Sequence, residues 1–143
     1  MDLTTFVLWA HLASTLFMVG LIWFVQVVHY PLFADVPAEG YRAYQEKHMA
    51  RTGLVVGPPM LAEAGSSLGL VLLASDLSDP LLAWIGFALL AFVWGVTALF
   101  SVPAHGRLLE GFDEDAHRTL VRTNWLRTLG WSVRGGLAIA LLV

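Results

Sequence analysis

Long uncharged apolar runs constrain this chain more than any other feature. Leu3 to Val28 contains no charged residue, Thr52 to Ser75 contains only Glu63, and Pro80 to Ala104 contains none. A membrane-spanning helix needs about 20 mostly apolar residues. Each run is long enough to cross. A fourth segment, Thr119 to Val143, carries Arg122, Arg127 and Arg134 but ends in the apolar run Leu137 to Val143. The expected fold is all-α: an integral membrane four-helix up-down bundle in one domain, 1–143, with helices at about 3–28, 52–75, 80–104 and 119–143.

Composition narrows the function classes. Charged residues make up 13% of the chain, against roughly 25% in soluble domains. A soluble enzyme or a disordered tail is a poor fit. The net charge of −3 leaves no basic footprint, so nucleic acid is not an expected partner. The chain has no cysteine. Disulfides, iron–sulfur ligation and thiol catalysis are therefore excluded. The first apolar run follows Asp2 rather than a basic stretch and has no small-residue cleavage site, so it reads as a retained helix rather than a signal peptide.

Charge asymmetry gives an orientation. The segment Asp76 to Asp79 carries two acids and no base. Arg42, Lys47, Arg51, Arg107, Arg118 and Arg122 all fall at the other end of the bundle. The positive-inside rule places that end in the cytoplasm of a bacterial-type inner or plasma membrane, with both termini extracytoplasmic. Trp9 and Trp84 fit the outer aromatic belt and Trp125 the inner one, while Trp23, Trp94 and Trp131 lie deeper.

Four of the five histidines collect at the cytoplasmic end. His29 closes the first helix and His48 precedes the second, while His105 closes the third and His117 precedes the fourth. Only His11 sits toward the other side. Imidazole is a usual ligand for copper, iron and zinc, so His29, His48, His105 and His117 are candidate metal ligands. His29 and His105, with Trp131, are candidates to hold haem b. The bland alternative is that interfacial histidines hydrogen-bond water or headgroups. The two halves also show a weak likeness, His29-Tyr30-Pro31 against Pro103-Ala104-His105. Between the first two spans, Ala38 to Ala50 reads as a short amphipathic helix, with Tyr41, Tyr44 and His48 on one face. It is expected to lie on the membrane or over the bundle mouth.

Each span carries one polar stripe. Helix 1 aligns His11, Thr15, Met18, Ile22, Gln26 (or Val25) and His29 at spacings of three or four. Helix 2 offers Glu63, Ser66 and Ser67; helix 3 offers Thr97, Ser101 and His105; helix 4 offers Asn124, Arg127, Trp131 and Arg134. Together they define a polar interior. Glu63 lies about 17 Å from the start of its span and Arg134 about 21 Å from the start of its own, at 1.5 Å per residue. An unpaired charge at that depth costs at least about 2.5 kcal/mol, so the two are expected to pair, either as architecture or as a substrate or proton site. Asn124 and Arg127 could hold an anionic or carbonyl-bearing ligand, because guanidinium offers a bidentate fork.

The segment Thr123-Asn124-Trp125-Leu126-Arg127-Thr128, with Val102-Pro103-Ala104-His105 and Val28-His29-Tyr30-Pro31, resembles the anthrone oxygenase-like family of small four-helix membrane proteins. The resemblance implies oxidation of a planar polyketide substrate, with Pro103, Asn124 and Arg127 as the carried-over positions. His105 stands where the family more often has an amide residue. Three functions follow. The first is a membrane redox protein acting on a lipid-soluble quinone or polyphenol, with the histidines holding a metal or haem, Asn124 and Arg127 polarising substrate oxygen, and Glu63 carrying protons. The second is a small oligomeric transporter or channel gated by Glu63 and Arg134, with Gly65-Ser66-Ser67-x-Gly69 and Gly135-Gly136 as close-packing surfaces for a homo-oligomer. The third is a membrane subunit without turnover. The expected partners are the lipid bilayer and a hydrophobic small molecule.

Overall fold

The computed structural model describes residues Met1–Val143. Four helices form the fold: α1 (Leu3–Asp35), α2 (Ala38–Leu72), α3 (Pro80–Leu108) and α4 (Glu114–Ala140). The first three are long and apolar enough to cross a membrane. Three aspartates start helices. Asp2 accepts from the Thr5 amide, Asp79 from the Leu81 amide and Asp113 from the Ala116 amide. Proline at the first position of α3 suits the helix start, where no amide hydrogen bond is lost. The bond to Ala116, then that from Arg107, holds the Asp113 carboxyl below the usual carboxylate range. This cap is therefore intact at neutral pH and is lost as acid protonates it.

The helices run up and down. Along α1 and α2, Thr4 meets Asp76, His11 meets Ser66, and His29 meets His48. Along α3 and α4, Gly86 meets Arg134, Ser101 meets Arg127, and Arg107 meets Asp113. Both pairs are antiparallel. Trp23–Ser132, Gln26–Asn124 and Tyr30–His117 close the ring between α1 and α4. Both chain ends and the α2–α3 turn therefore share one end of the bundle. The π-helical turns of α1 and α3, described below, share the other with the α1–α2 and α3–α4 turns. Gly111, at φ 145°, makes the turn into α4, a conformation that L side chains rarely adopt.

The helices depart from several expected limits, with α1 reaching Asp35, α3 reaching Leu108 and α4 running from Glu114 to Ala140, and two further differences bear on the site. Ala38–Leu72 is one helix, so the segment expected to lie as a separate amphipathic helix is the first third of α2. It stands in line with the span because nothing between Ala50 and Thr52 breaks the backbone ladder. Pro58 and Pro59 lie within the same helix. Helices α1 and α3 both contain a π-helical turn, at Val25–His29 and Thr97–Ser101. Each sits just before a proline, Pro31 and Pro103. Proline removes one amide donor and crowds the carbonyl four residues back, and a wider turn relieves both. The wide turn in α1 also explains why Val25 and Gln26 are both buried.

Small residues set the closest helix approaches. A Cβ on Gly130 would lie 2.4 Å from Val93 Cγ1, and one on Gly135 would lie 3.1 Å from Val19 Cγ2. Gly69 faces Val7 in the same way. Gly69 and Gly135, with the buried Ser66 and Ser67, pack inside the chain, while Gly65 and Gly136 are exposed. Gly130→Ala is expected to destabilise by about 1–3 kcal/mol through overpacking. Adding Val93→Ala should restore part of that loss. Thermal unfolding in detergent would check both.

Candidate functional site

The four polar stripes meet in the bundle interior. His11, Thr15, Gln26, Glu63, Ser66, Ser67, Ser101, His105, Asn124, Arg127, Thr128 and Arg134 are all buried. Their burial follows from helix phase. On each helix they share the face that turns from the surface, and the apolar residues between them, such as Leu126, Leu129 and Val133 on α4, are exposed.

Glu63 is the hub of the deep half. Arg134 Nη2 lies 3.0 Å and Nε 3.1 Å from Glu63 Oε1, and Trp131 Nε1 donates to Oε2 at 2.9 Å. Arg134 Nη1 also donates to the Gly86 carbonyl on α3. Both charged side chains are fully buried. The pairing expected from depth is present, and Trp131 is its third member rather than a free stacking surface. Arg127 sits over the face of Trp131, 5.3 Å from the ring centre. Its Nη1 donates to Asn124 Oδ1 at 2.9 Å and to Ser101 Oγ at 3.3 Å. Asn124 donates in turn to Gln26 at 2.9 Å. One polar chain thus runs from Gly86 through Arg134, Glu63, Trp131, Arg127 and Asn124 to Gln26.

The histidines gather at the other end, but in two kinds of place. His29 Nε2 and His48 Nδ1 are 2.9 Å apart, and Thr52 Oγ1 lies 3.1 Å from the same His48 nitrogen. His48 and His105 stack with ring centres 5.3 Å apart. His105 is held from both sides, by Gln45 Nε2 at 2.9 Å on Nδ1 and by the Tyr30 hydroxyl at 3.1 Å on Nε2. Because the Gln45 amide donates, His105 Nδ1 accepts, and the ring proton lies on Nε2 facing the Tyr30 oxygen. His117 stands apart, donating from Nε2 to the Tyr30 carbonyl at 2.8 Å. His11 lies deeper, 3.3 Å from Ser66 Oγ.

Phe33 fixes this cluster. It is fully buried, and its ring meets those of His29, Tyr30, Tyr44, His48, His105 and His117 at 5.0–6.4 Å. Phe33 and Gln45 both escaped the sequence reading. Gln45 had a signal: Tyr41, Gln45 and His48 share one face of α2, and all three are buried. Phe33 had none, because its short 3₁₀ turn follows Pro31 and carries no helical period.

No group of three or more His, Asp or Glu side chains is placed to hold an ion. Each imidazole already spends at least one nitrogen on a protein partner, and His105 spends both. The nearest histidine nitrogens bond each other directly.

A cavity of about 250 Å³ opens beside the cluster. Met18, Leu21, Ile22, Val25 and Val56 form its apolar walls, and Tyr30, His48, Thr52, Ser101, His105 and Arg127 supply its polar groups. Met49, Gly53 and Val102 line it and are exposed, so it is open between α2 and α3. Glu63, Asn124, Trp131 and Arg134 do not line it. The chain matches no protein-family model, no curated protein and no solved structure.

The Glu63–Arg134 pair generates a stability test. Glu63→Leu leaves the Arg134 charge buried alone and should cost about 3–5 kcal/mol. The double variant Glu63→Leu with Arg134→Met should recover most of it, since an apolar pair of similar volume is often no less stable. Denaturant unfolding would give the difference, and Trp131 emission would report the lost indole hydrogen bond.

Proposed function

We propose that this chain is a membrane-embedded oxidoreductase for a small lipid-soluble phenol or quinone, with the cavity beside His48 and His105 as the substrate site. The observation that carries the reading is the composition of that cavity. Apolar walls meet a polar group of Tyr30, His48, His105, Ser101 and Arg127. Few converging polar groups in an apolar pocket are the usual pattern of a small-molecule site. Its volume of about 250 Å³ suits one or two rings, being below the roughly 300–1,000 Å³ of pockets for drug-sized ligands.

The same reading makes α4 a fourth span despite its arginines. The exposed residues from Leu126 to Val143 are Leu126, Leu129, Val133, Gly136, Ile139, Ala140 and Val143, all without polar side chains. The polar side chains of that stretch point into the bundle, and a bilayer would meet only apolar surface. The base-rich end would face the cytoplasm and both termini the outside. The likeness of Asn124, Arg127 and Pro103 to the anthrone oxygenase-like motif supports oxidation of a planar substrate.

The residues then divide the work. Oxidation of a hydroquinone releases two protons and two electrons. Dioxygen would accept both electrons and two protons, and leave as hydrogen peroxide. Tyr30, whose oxygen accepts the His105 proton, has its own hydroxyl hydrogen free for the substrate oxygen. Arg127 would stabilise negative charge on that oxygen, and Asn124 holds Arg127 in place. His48 lines the cavity and bonds the half-buried His29. That pair offers a proton a path to the cytoplasmic mouth. Glu63 is sealed in its ion pair, so this mechanism uses it for architecture.

Purified protein in detergent should oxidise a naphthohydroquinone with uptake of dioxygen. His48→Ala should lower kcat by about 10²-fold, the low end for a proton-transfer group. Gly53→Phe should mainly raise KM by narrowing the opening. If neither wild-type turnover nor quinone binding is found, the reading fails. For orientation, the cysteine-free chain allows single labels: Ser78→Cys should react with an impermeant maleimide on intact cells, and Glu110→Cys only after lysis.

A further inference from the structure

Charge accounting in the interior leaves one positive charge unanswered. The ionised side chains buried in the bundle are Glu63, Arg127 and Arg134. Glu63 is committed to Arg134 and Trp131. Arg127 has no carboxylate within ion-pair reach: the ion pairs of the chain are Arg42–Glu46, Arg107–Asp113, Arg118 with Glu114 and Asp115, and Arg134–Glu63. Arginine cannot relieve this by losing its proton. A buried charge is ordinarily paired, because leaving it alone in a low dielectric is costly.

The partners that Arg127 does have are neutral. Asn124 Oδ1 and Ser101 Oγ both take Nη1, and the Trp131 face lies 5.3 Å away. Its Nε is buried with no hydrogen-bond partner. Nε and Nη2 form the side edge of the guanidinium, the fork that grips two oxygens of a planar anion. Arg127 is 6% exposed and lines the cavity. Here a buried cation without a carboxylate, its guanidinium also beside the Tyr30 hydroxyl, borders an apolar chamber with an opening.

We infer that the cavity binds its ligand as an anion, with Arg127 as the counter-ion: a planar head bearing two oxygens, or one ionised oxygen beside a second acceptor, carried on an apolar body of one or two rings. Aromatic carboxylates, ionised ortho-hydroxy-ketones and ionised catechols share this chemistry. The inference rests on the proposed use of the cavity as a ligand site, but not on any redox step. The chamber selects the body, since its walls are Met18, Leu21, Ile22, Val25 and Val56. Arg127 selects the charge.

The test compares 2-naphthoate with its uncharged methyl ester, neither of which is turned over by redox chemistry. Binding is measured by calorimetry on the full chain in a neutral maltoside detergent. Wild type should bind the carboxylate about ten- to a hundredfold more tightly than the ester, the range expected for charge-assisted hydrogen bonds. Arg127→Gln should abolish the preference while keeping ester binding. Arg127→Lys should keep part of it, because charge remains and the fork is lost. Acetate should bind far more weakly than naphthoate. Equal acetate binding would show an inorganic-type anion site and overturn the apolar body. Tighter or equal binding of the ester by wild type overturns the anion inference and needs no variant to be read. A neutral naphthoquinone that binds in that case leaves the cavity reading standing. If naphthoate, ester and naphthoquinone all fail to bind, both readings fall together.

Discussion

Glu63 is the one carboxylate in the interior, and the rest of the bundle is arranged around its two oxygens. Oε1 takes Arg134 and Oε2 takes Trp131. Those two partners lie three residues apart on α4, one helical turn. Holding both sets the rotation and height of α4 against α2. Arg134 also reaches the Gly86 carbonyl and ties in α3. Where water is excluded, misplacing any of these groups leaves a buried charge without compensation. The pair is weak evidence for stability in itself. Its consequence is that the register of α2, α3 and α4 is tied to this one group.

That register has an effect at the other end. With Trp131 fixed by Glu63, its face supports Arg127, and Asn124 and Ser101 hold the guanidinium from one side only. The architectural half and the cavity half of the interior are therefore one connected structure. The deep half is neutral, and the surplus positive charge falls at the chamber wall. Glu63 and Arg134 are closed off from the chamber, and Arg127 lines it.

The wide turns before Pro31 and Pro103 shape the same region. A π-helical turn changes the angular phase of everything after it. It lets Val25 and Gln26 both face inward, one onto the chamber wall and one onto Asn124. In α3 it brings Thr97, Ser101 and His105 to the chamber together. The tentative likeness between the two halves of the sequence thus corresponds to a shared local device. In both halves, a wide turn before a proline is closed or followed by a histidine at the same end of the bundle.

The sequence by itself determined the helical class, the three apolar spans and the inward face of every helix. Hydrophobicity and a period near 3.6 residues are local properties, so His11, Thr15, Glu63, Asn124, Arg127 and Arg134 could be placed inside without coordinates. Depth along a helix is also local, which made the Glu63–Arg134 pair legible. Tertiary structure alone decided which interior groups share a space. It turned His117 to a backbone carbonyl, joined His29 to His48, brought in Gln45 and Phe33, and ran α2 unbroken through a segment that reads as amphipathic. Those outcomes depend on azimuth and on turn geometry at two prolines. A one-residue change of phase, about 100° around a helix, decides whether an imidazole faces a cavity, a neighbour or the membrane.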